Sequence, residues 1–375
     1  MQSLPTSATP ETRRAFLATL GAAVPALAAK RPAIIPPNIV LVIADELPAT
    51  MLGCYGNRDL KTPNIDALAR RGVRFQNALV SGRGGASGRA TLLSGRTPMQ
   101  QASGNEVLLT DLLTAKGYDV GFVGAWGLGN DKLPGHGVRL AYTISGDQMF
   151  WNGEPAQDQG DAPSVLVRRA VQFLDQQKPD GKPFFLAVSN PGSVGIAALD
   201  LQLPALIGRL RERNLEQNTM IVFTAAGGSP ESLRGPLIYC WPGHAPVEAT
   251  RPDLVGGYDL LFTLCAAAGI APPGGNLCGR SYLPLVNGKP FPKTNPWRTI
   301  VYASFADGAG GAADTASDNR FKLVIRDGGK GPNQLFELRT DTRIASINQY
   351  NNRAFVTTRD LLRRSLNQWK TQYSR

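Results

Sequence analysis

Histidine is the scarcest of the residues that carry enzyme chemistry in this sequence. The 375-residue chain has two, His136 and His244, in the contexts GHG and PGHA that are typical of surface turns. Proton transfer by paired imidazoles is therefore hard to place anywhere in the chain. Cysteine is also sparse, and the four residues, at positions 54, 240, 265 and 278, show no CxxC spacing. This argues against a zinc site or a dense disulfide framework, and leaves open either one bridge between Cys265 and Cys278 or free thiols.

Acidic side chains are outnumbered, and long apolar runs are missing. The chain has 29 Asp and Glu against 40 Lys and Arg, a formal net charge of +11. This excess favours anionic partners such as sulfated or carboxylated glycans or cell-surface polymers. No aromatic and basic module of the kind that stacks bases is present, so nucleic acid is not predicted as a partner. The longest apolar, Ala-rich run, 17–29, is shorter than the ~20 residues that span a bilayer, so we expect no membrane span once it is removed.

A twin-arginine motif precedes this run. It reads TRRAFL (residues 12–17), and small residues at Ala26 and Ala28 suit cleavage nearby. The motif matches the bacterial Tat export address, whose substrates are exported already folded. We predict a signal peptide at 1–29 and a periplasmic or otherwise extracytoplasmic mature chain.

Helical and strand patterns alternate along most of the remaining sequence. Strands are predicted at 39–43, 73–75, 119–124, 184–189, 220–224 and 237–241, and helices at 64–71, 107–116, 165–177, 203–213 and 257–268. Such alternation predicts a mostly parallel sheet with helices on both faces. The composition changes near residue 290, and short antiparallel strands at 298–304, 321–326 and 335–338 and a helix at 358–372 are predicted beyond it, with 308–317 as a flexible loop. We therefore predict domains at 30–290 and 291–375.

Several segments carry a family resemblance. They are PNIVLVIADE (37–46), TPNIDALARRGVRFQNA (62–78), GASGRATLLSGR (85–96), NTMIVFT (218–224), PLIYCWPG (236–243) and GRSYLPL (279–285). In this order they resemble a type I sulfatase of the alkaline-phosphatase superfamily. The resemblance implies an α/β fold, with a mostly parallel but mixed central sheet sandwiched by helices and a small C-terminal antiparallel sheet plus helix.

The resemblance also implies an active site, most of which is missing here. The Cys or Ser that becomes the formylglycine nucleophile falls on Gly85, where no formylglycine can form because glycine has no side chain to oxidise. The family's GKWHLG, the source of a catalytic Lys and His, reads GAWGLG at 124–129, and its FTSDHG or FTSDNG, a source of metal ligands, reads FTAAGG at 223–228. The signature arginine is retained as Arg89, where it either binds an anion or pairs with Asp45.

The family's first two metal acids fall on Asp45 and Glu46. Both can offer oxygen to Ca²⁺, but Ca²⁺ takes about 6–8 oxygens, so these two form at most a partial site. The alternative is that the two carboxylates cap the turn after a strand.

Two functions follow from these positions. The first is a hydrolytically inactive pseudo-sulfatase that retains an anion-binding role, with a sulfated glycan as an example, or a scaffolding role. The alternative is a divergent metal-dependent sulfuric or phosphoric ester hydrolase with a non-standard nucleophile, for which Ser87, Ser81 and Thr91 are the candidates. The ligand and the oligomeric state stay open.

Overall fold

The middle strands of the central sheet are buried on both faces. The computed structural model describes residues 36–100, 106–128, 133–229, 232–305, 311–338 and 347–373. The strands of this sheet are β1 (Asn38–Asp45), β2 (Val73–Leu79), β3 (Asp119–Ala125), β4 (Leu140–Ser145), β5 (Gln148–Trp151), β6 (Glu154–Ala156), β7 (Phe184–Asn190), β8 (Thr219–Ala226), β9 (Leu237–Cys240) and β10 (Ala249–Gly256). They form ten strands in the order β10-β2-β9-β8-β1-β7-β3-β4-β5-β6. The run from β8 to β4 is parallel throughout, whereas β9, β5 and β6 are antiparallel to their neighbours.

Alternate side chains of β1 enter two separate hydrophobic cores. Ile39, Leu41 and Ile43 pack on one face of the sheet, and Val40 and Val42 pack on the other. The helices are α1 (Pro63–Arg70), α2 (Gly84–Ser94), α3 (Leu109–Ala115), α4 (Ala162–Asp175), α5 (Ile196–Glu212), α6 (Leu260–Ala267) and α7 (Leu283–Val286). Residues of α2, α3, α6 and α7 line the first core, and residues of α1, α4 and α5 line the second. A strand that feeds both cores reads as a continuous apolar run, as β1 does.

A smaller antiparallel sheet follows. It contains β11 (Val301–Phe305), β12 (Ala313–Ser317), β13 (Phe321–Arg326) and β14 (Gln334–Glu337) in sequence order, and α8 (Val356–Tyr373) packs on it. The predicted loop at 308–317 is therefore wrong over 313–317. The Ala-rich composition suggests flexibility, but β12 lies between β11 and β13, and all five of its residues are buried.

Residues 36–375 form one compact unit, in which Leu79 and Tyr258 share a hydrophobic cluster with β11 and β13. The domain boundary at 290 stays a prediction, and the predicted signal peptide lies outside the described residues. All four cysteines are free thiols. Within the described ranges, no helix is long and apolar enough to cross a membrane.

Candidate active site

The site is centred on an ion pair at the carboxyl end of β1. Asp45 is the last residue of that strand, and Arg89 lies in α2. The Nη1 atom of Arg89 donates to both carboxylate oxygens of Asp45, at 2.6 and 2.5 Å, and its Nε donates to the carbonyl of Trp126 at 2.8 Å. Burial raises the pKa of Asp45 above its ordinary value, although the hydrogen bonds from Arg89 act in the opposite direction. Of the two roles open for Arg89, the structure shows the pairing with Asp45.

The Asp45 carboxylate lies in the space that a side chain at Gly85 would enter. A Cβ atom built on Gly85 would be 2.1 Å from Asp45 Oδ2 and 2.2 Å from Asp45 Cγ. Real Cβ atoms do not approach other heavy atoms so closely. Gly85, at the position of the family's nucleophile, thus has no side chain, and the Asp45 carboxylate occupies the space that a side chain there would need.

The guanidinium of Arg89 occupies the corresponding space at Gly127. A Cβ atom built there would lie 2.7 Å from Arg89 Nη2, and the backbone has a φ of +61°, which side-chain-bearing residues rarely adopt. Ala125, two residues earlier, is 8% exposed and contributes a methyl group only. The positions matching the family's catalytic Lys and His therefore lie beside Arg89, and neither supplies a proton-transferring group.

The positions that match the second pair of metal ligands are closed by backbone contacts. Ala226 ends β8, and its carbonyl accepts a hydrogen bond from the Glu46 N–H at 2.9 Å. A Cβ atom on Gly227 would lie 2.0 Å from the carbonyl oxygen of Gly84, so this loop packs directly on the start of α2. This packing leaves no room for a ligating side chain at Gly227, and the side chain of Ala226 is a methyl group that cannot ligate a metal.

The residues present do not fit a calcium ion. Both oxygens of Asp45 accept from Arg89, and Glu46 is an exposed residue with a φ of +53°. Among the described residues, no group of three or more His, Cys, Asp or Glu could hold a metal ion. Two carboxylates, one of them paired with an arginine, fall well short of the oxygens that Ca²⁺ requires.

The three candidate substitute nucleophiles, Ser81, Ser87 and Thr91, differ in their burial and in the groups that they contact. Ser81 is 2% exposed and its hydroxyl has no hydrogen-bond partner among the described residues, whereas the hydroxyl of Thr91 donates to the carbonyl of Ser87 at 3.1 Å. The Ser87 hydroxyl lies against Gly82, 2.7 Å from where a Cβ atom on that glycine would be. A serine or threonine nucleophile needs an adjacent base. The contacts described for Ser87 and Thr91 are to a glycine and to a backbone carbonyl, neither of which is a base.

The two histidines contact residues other than Asp45 and Arg89. The Nδ1 atom of His136 lies 3.0 Å from an Asp111 carboxylate oxygen, and the ring of His244 stacks on Trp241 with centroids 4.0 Å apart. Neither of these contacts brings an imidazole to the Asp45–Arg89 pair.

A cleft of about 590 Å³ opens above the ion pair, and we call it the β1 cleft. Its walls come from the carboxyl ends of β1, β3, β4 and β7 and from the hairpin formed by β4 and β5. This is the edge at which open α/β sheets bind ligands.

The hairpin wall was not predicted from the sequence. Gly146 and Asp147 form a two-residue connection between Ser145 and Gln148, and all four of these residues are exposed. A Gly-Asp pair between two β-rich runs is a recognised hairpin signal, so the wall could have been found.

Comparisons with known proteins agree with this architecture. The sulfatase family profile matches residues 37–193. Arylsulfatase A of Bos taurus is 30% identical over 357 residues, covering 70% of this chain and 70% of that protein. Two solved structures share the fold: BT4656 in complex with D-glucosamine-2-N,6-O-disulfate (TM-score 0.79, 16% identity, 90% of this chain and 98% of that one) and Ps i-CgsB in complex with k-i-k-neocarrahexaose (TM-score 0.74, 21% identity, 90% and 93%). Three features of the structure agree with these matches: the strand that ends in the retained acid, the arginine four residues beyond the nucleophile position, and the pair of sheets. The chain belongs to the sulfatase family of the alkaline-phosphatase superfamily.

Proposed function

We propose that this chain is a hydrolytically inactive member of the sulfatase family. The observation that carries the proposal is the Asp45 carboxylate, which pairs with Arg89 and fills the space beside Gly85. Loss of a single catalytic group lowers rates by orders of magnitude. Here a nucleophile, two proton-transferring groups and half of the metal ligands are absent from the matching positions.

The test is sulfate release from 4-nitrophenyl sulfate, measured by ion chromatography with Ca²⁺, Mg²⁺, Mn²⁺ or Zn²⁺ added in turn. We expect no release above the protein-free rate. Turnover that requires a divalent ion and disappears in Asp45→Ala would contradict the proposal. It would instead support the divergent hydrolase that the sequence left as the alternative.

We propose that the β1 cleft has kept a binding role and that its ligand is a carbohydrate. The cleft volume, about 590 Å³, lies within the range of about 300–1,000 Å³ that is usual for small-molecule sites. Both solved structures compared above hold a saccharide, and their fold is shared by this chain.

Anion binding or scaffolding at the outer surface is a second candidate function. In the β1 cleft, the positive charge of Arg89 is balanced by the Asp45 carboxylate with which it pairs, which disfavours an anion there. Arg363 and Arg364 of α8 are both exposed, and the net charge of +11 suits a sulfated glycan. On a sulfated-glycan column, Arg363→Ser with Arg364→Ser should lower the salt needed for elution. The control pair Arg58→Ser with Arg70→Ser removes the same charge from other exposed positions, and equal effects of the two pairs would contradict a localised surface.

We also propose export through the twin-arginine motif at Arg13 and Arg14, with a periplasmic or extracytoplasmic mature chain.

A further inference from the structure

The described lining of the β1 cleft has no net charge. Asp45 and Arg89 are its only ionisable side chains among the described residues. They pair with each other at 2.5 Å, and Arg89 is 5% exposed. An anion that enters the cleft would meet a guanidinium already bonded to a carboxylate, and would also meet the carboxylate itself. The floor of the cleft therefore disfavours the negative charge of a sulfate ester.

The walls combine apolar surface with hydroxyl groups. Ile144 and Phe150 contribute aliphatic and aromatic carbon, and Thr143, Ser145 and Ser193 contribute hydroxyls that can donate or accept. A matching ligand has one apolar face and a rim of hydroxyl groups. A pyranose ring has this form, with C–H bonds on its faces and hydroxyls at its edge.

The floor itself can bind a hydroxyl. The side chain of Asp45 keeps 10% of its surface exposed, and an ionised carboxylate offers about four lone-pair sites, of which Arg89 uses two. A ring hydroxyl can donate to a remaining site without displacing Arg89. Hydrogen bonds to charged acceptors are among the stronger ones.

We propose that the β1 cleft binds an uncharged sugar ring, with Asp45 as the acceptor for one of its hydroxyl groups. This rests on the proposed loss of hydrolase activity and deepens it, because it assigns to the altered site the unsulfated ring rather than the sulfate ester. The Asp45–Arg89 pair then acts as a neutral, hydrogen-bonding floor.

The experiment compares matched sugars by saturation-transfer NMR. The probes are the methyl glycosides of glucose, galactose, N-acetylglucosamine and N-acetylgalactosamine, each against its 6-O-sulfate. We expect at least one neutral glycoside to bind and its sulfated partner to bind at least tenfold more weakly. Binding should be lost in Ser193→Trp, which fills the exposed rim of the cleft, and kept in Ser164→Trp, the matched change at an exposed position of α4.

A second variant tests the role of charge at the floor. Asp45→Asn removes the counter-charge from Arg89, so we expect the preference to shift at least tenfold toward the sulfated probes, with circular dichroism checking that the variant is folded. If the wild-type protein prefers the sulfated sugars, if no glycoside binds, or if Ser193→Trp leaves binding intact, the inference is wrong. Sulfate release, followed in the same samples, is a separate readout. Release overturns the proposed inactivity, whereas preferential binding of a sulfated sugar without release overturns only the inference.

Discussion

Gly85 and Gly127 have in common that a neighbouring charged group lies where their own side chains would begin. At Gly85 this group is the carboxylate of Asp45, and at Gly127 it is the guanidinium of Arg89. The loss of side chains from both positions and the direct pairing of Asp45 with Arg89 are thus parts of one arrangement. The sequence identified both glycines, but it left open whether Arg89 binds an anion, because pairing depends on a contact between residues 44 positions apart.

We predict that restoring the nucleophile position does not restore activity. In Gly85→Cys the new Cβ atom would lie 2.1 Å from Asp45 Oδ2, so the ion pair must move, and the melting temperature should fall. Gly85→Ala should destabilise in the same way. Gly208→Ala is the matched control within α5, since nothing lies within 4 Å of its added Cβ atom. There the higher helix propensity of alanine should add about 0.5–1 kcal/mol of stability. Equal stability changes at the two glycines in thermal melts would contradict the described packing.

A double-mutant cycle tests the ion pair itself. Arg89→Leu leaves Asp45 without its partner, and breaking a buried pair in this way costs about 3–5 kcal/mol in the free energy of unfolding. Asp45→Asn combined with Arg89→Leu removes the unpaired carboxylate as well, so most of that loss should be recovered. Denaturant unfolding of the three variants measures the coupling. Simple additivity of the two single changes would show that the pair does not interact as described.

At the scale of helices and strands, apolar patterns located most elements, and tertiary contacts decided the rest. The continuous apolar runs predicted β1, β3, β7 and β8, because strands covered on both faces need such runs. The helix predicted from residue 203 instead begins at Ile196, and Pro204 lies inside it. Asp200, in the part that was missed, accepts hydrogen bonds from the backbone N–H groups of Asn64 and Ile65. This is a cap for α1 supplied from 136 positions away, and no local pattern shows it.

A second element-scale contact gives a prediction of pH dependence. Glu216, which is 8% exposed, pairs with Arg71 at the end of α1 and with Arg211 of α5. Burial alone would raise the pKa of Glu216, but the hydrogen bonds from the two arginines hold it below its ordinary value. A carboxyl group with a lowered folded-state pKa stabilises the protein above its unfolded pKa of about 4.3, and that contribution is lost as the pH falls through the folded pKa.

The test is Glu216→Gln, which should lower the free energy of unfolding by about 1–3 kcal/mol at pH 7 and make stability less sensitive to pH below the unfolded-state pKa of about 4.3. Urea unfolding at a series of pH values measures both effects. The exposed pair of Arg209 with Asp175 provides the control, since Asp175→Asn should change little. An unchanged acid profile in Glu216→Gln would contradict the role assigned to this carboxylate.

At the scale of the whole molecule, the fold could be predicted from the sequence much more completely than the state of the site. The segments that resemble sulfatases occur in order along the chain and indicate one architecture, and the comparisons confirm the family. The β1 cleft could not be predicted, because its walls come from residues as far apart as Asp45 and Ser193, and the neutrality of its described lining depends on one side-chain contact.

The proposed export is tested on the whole chain. We predict that Arg13→Lys with Arg14→Lys keeps the protein in the cytoplasm, because the Tat address is read as a motif and not as charge. Fractionation of a bacterial host followed by immunoblotting measures this, with the unchanged chain as the exported control. Periplasmic protein in the double variant would contradict the assignment.

Calcium binding tests the central claim most directly, because hydrolysis by this family depends on a metal and the account holds that Asp45 is committed to Arg89. The measurement is a calorimetric titration of residues 30–375 with Ca²⁺, followed by Mg²⁺, Mn²⁺ and Zn²⁺. We predict no binding of any ion at the site, and an identical trace from Asp45→Ala. Stoichiometric binding at micromolar affinity or better, lost in Asp45→Ala, would contradict the account and support the alternative of a divergent metal-dependent hydrolase.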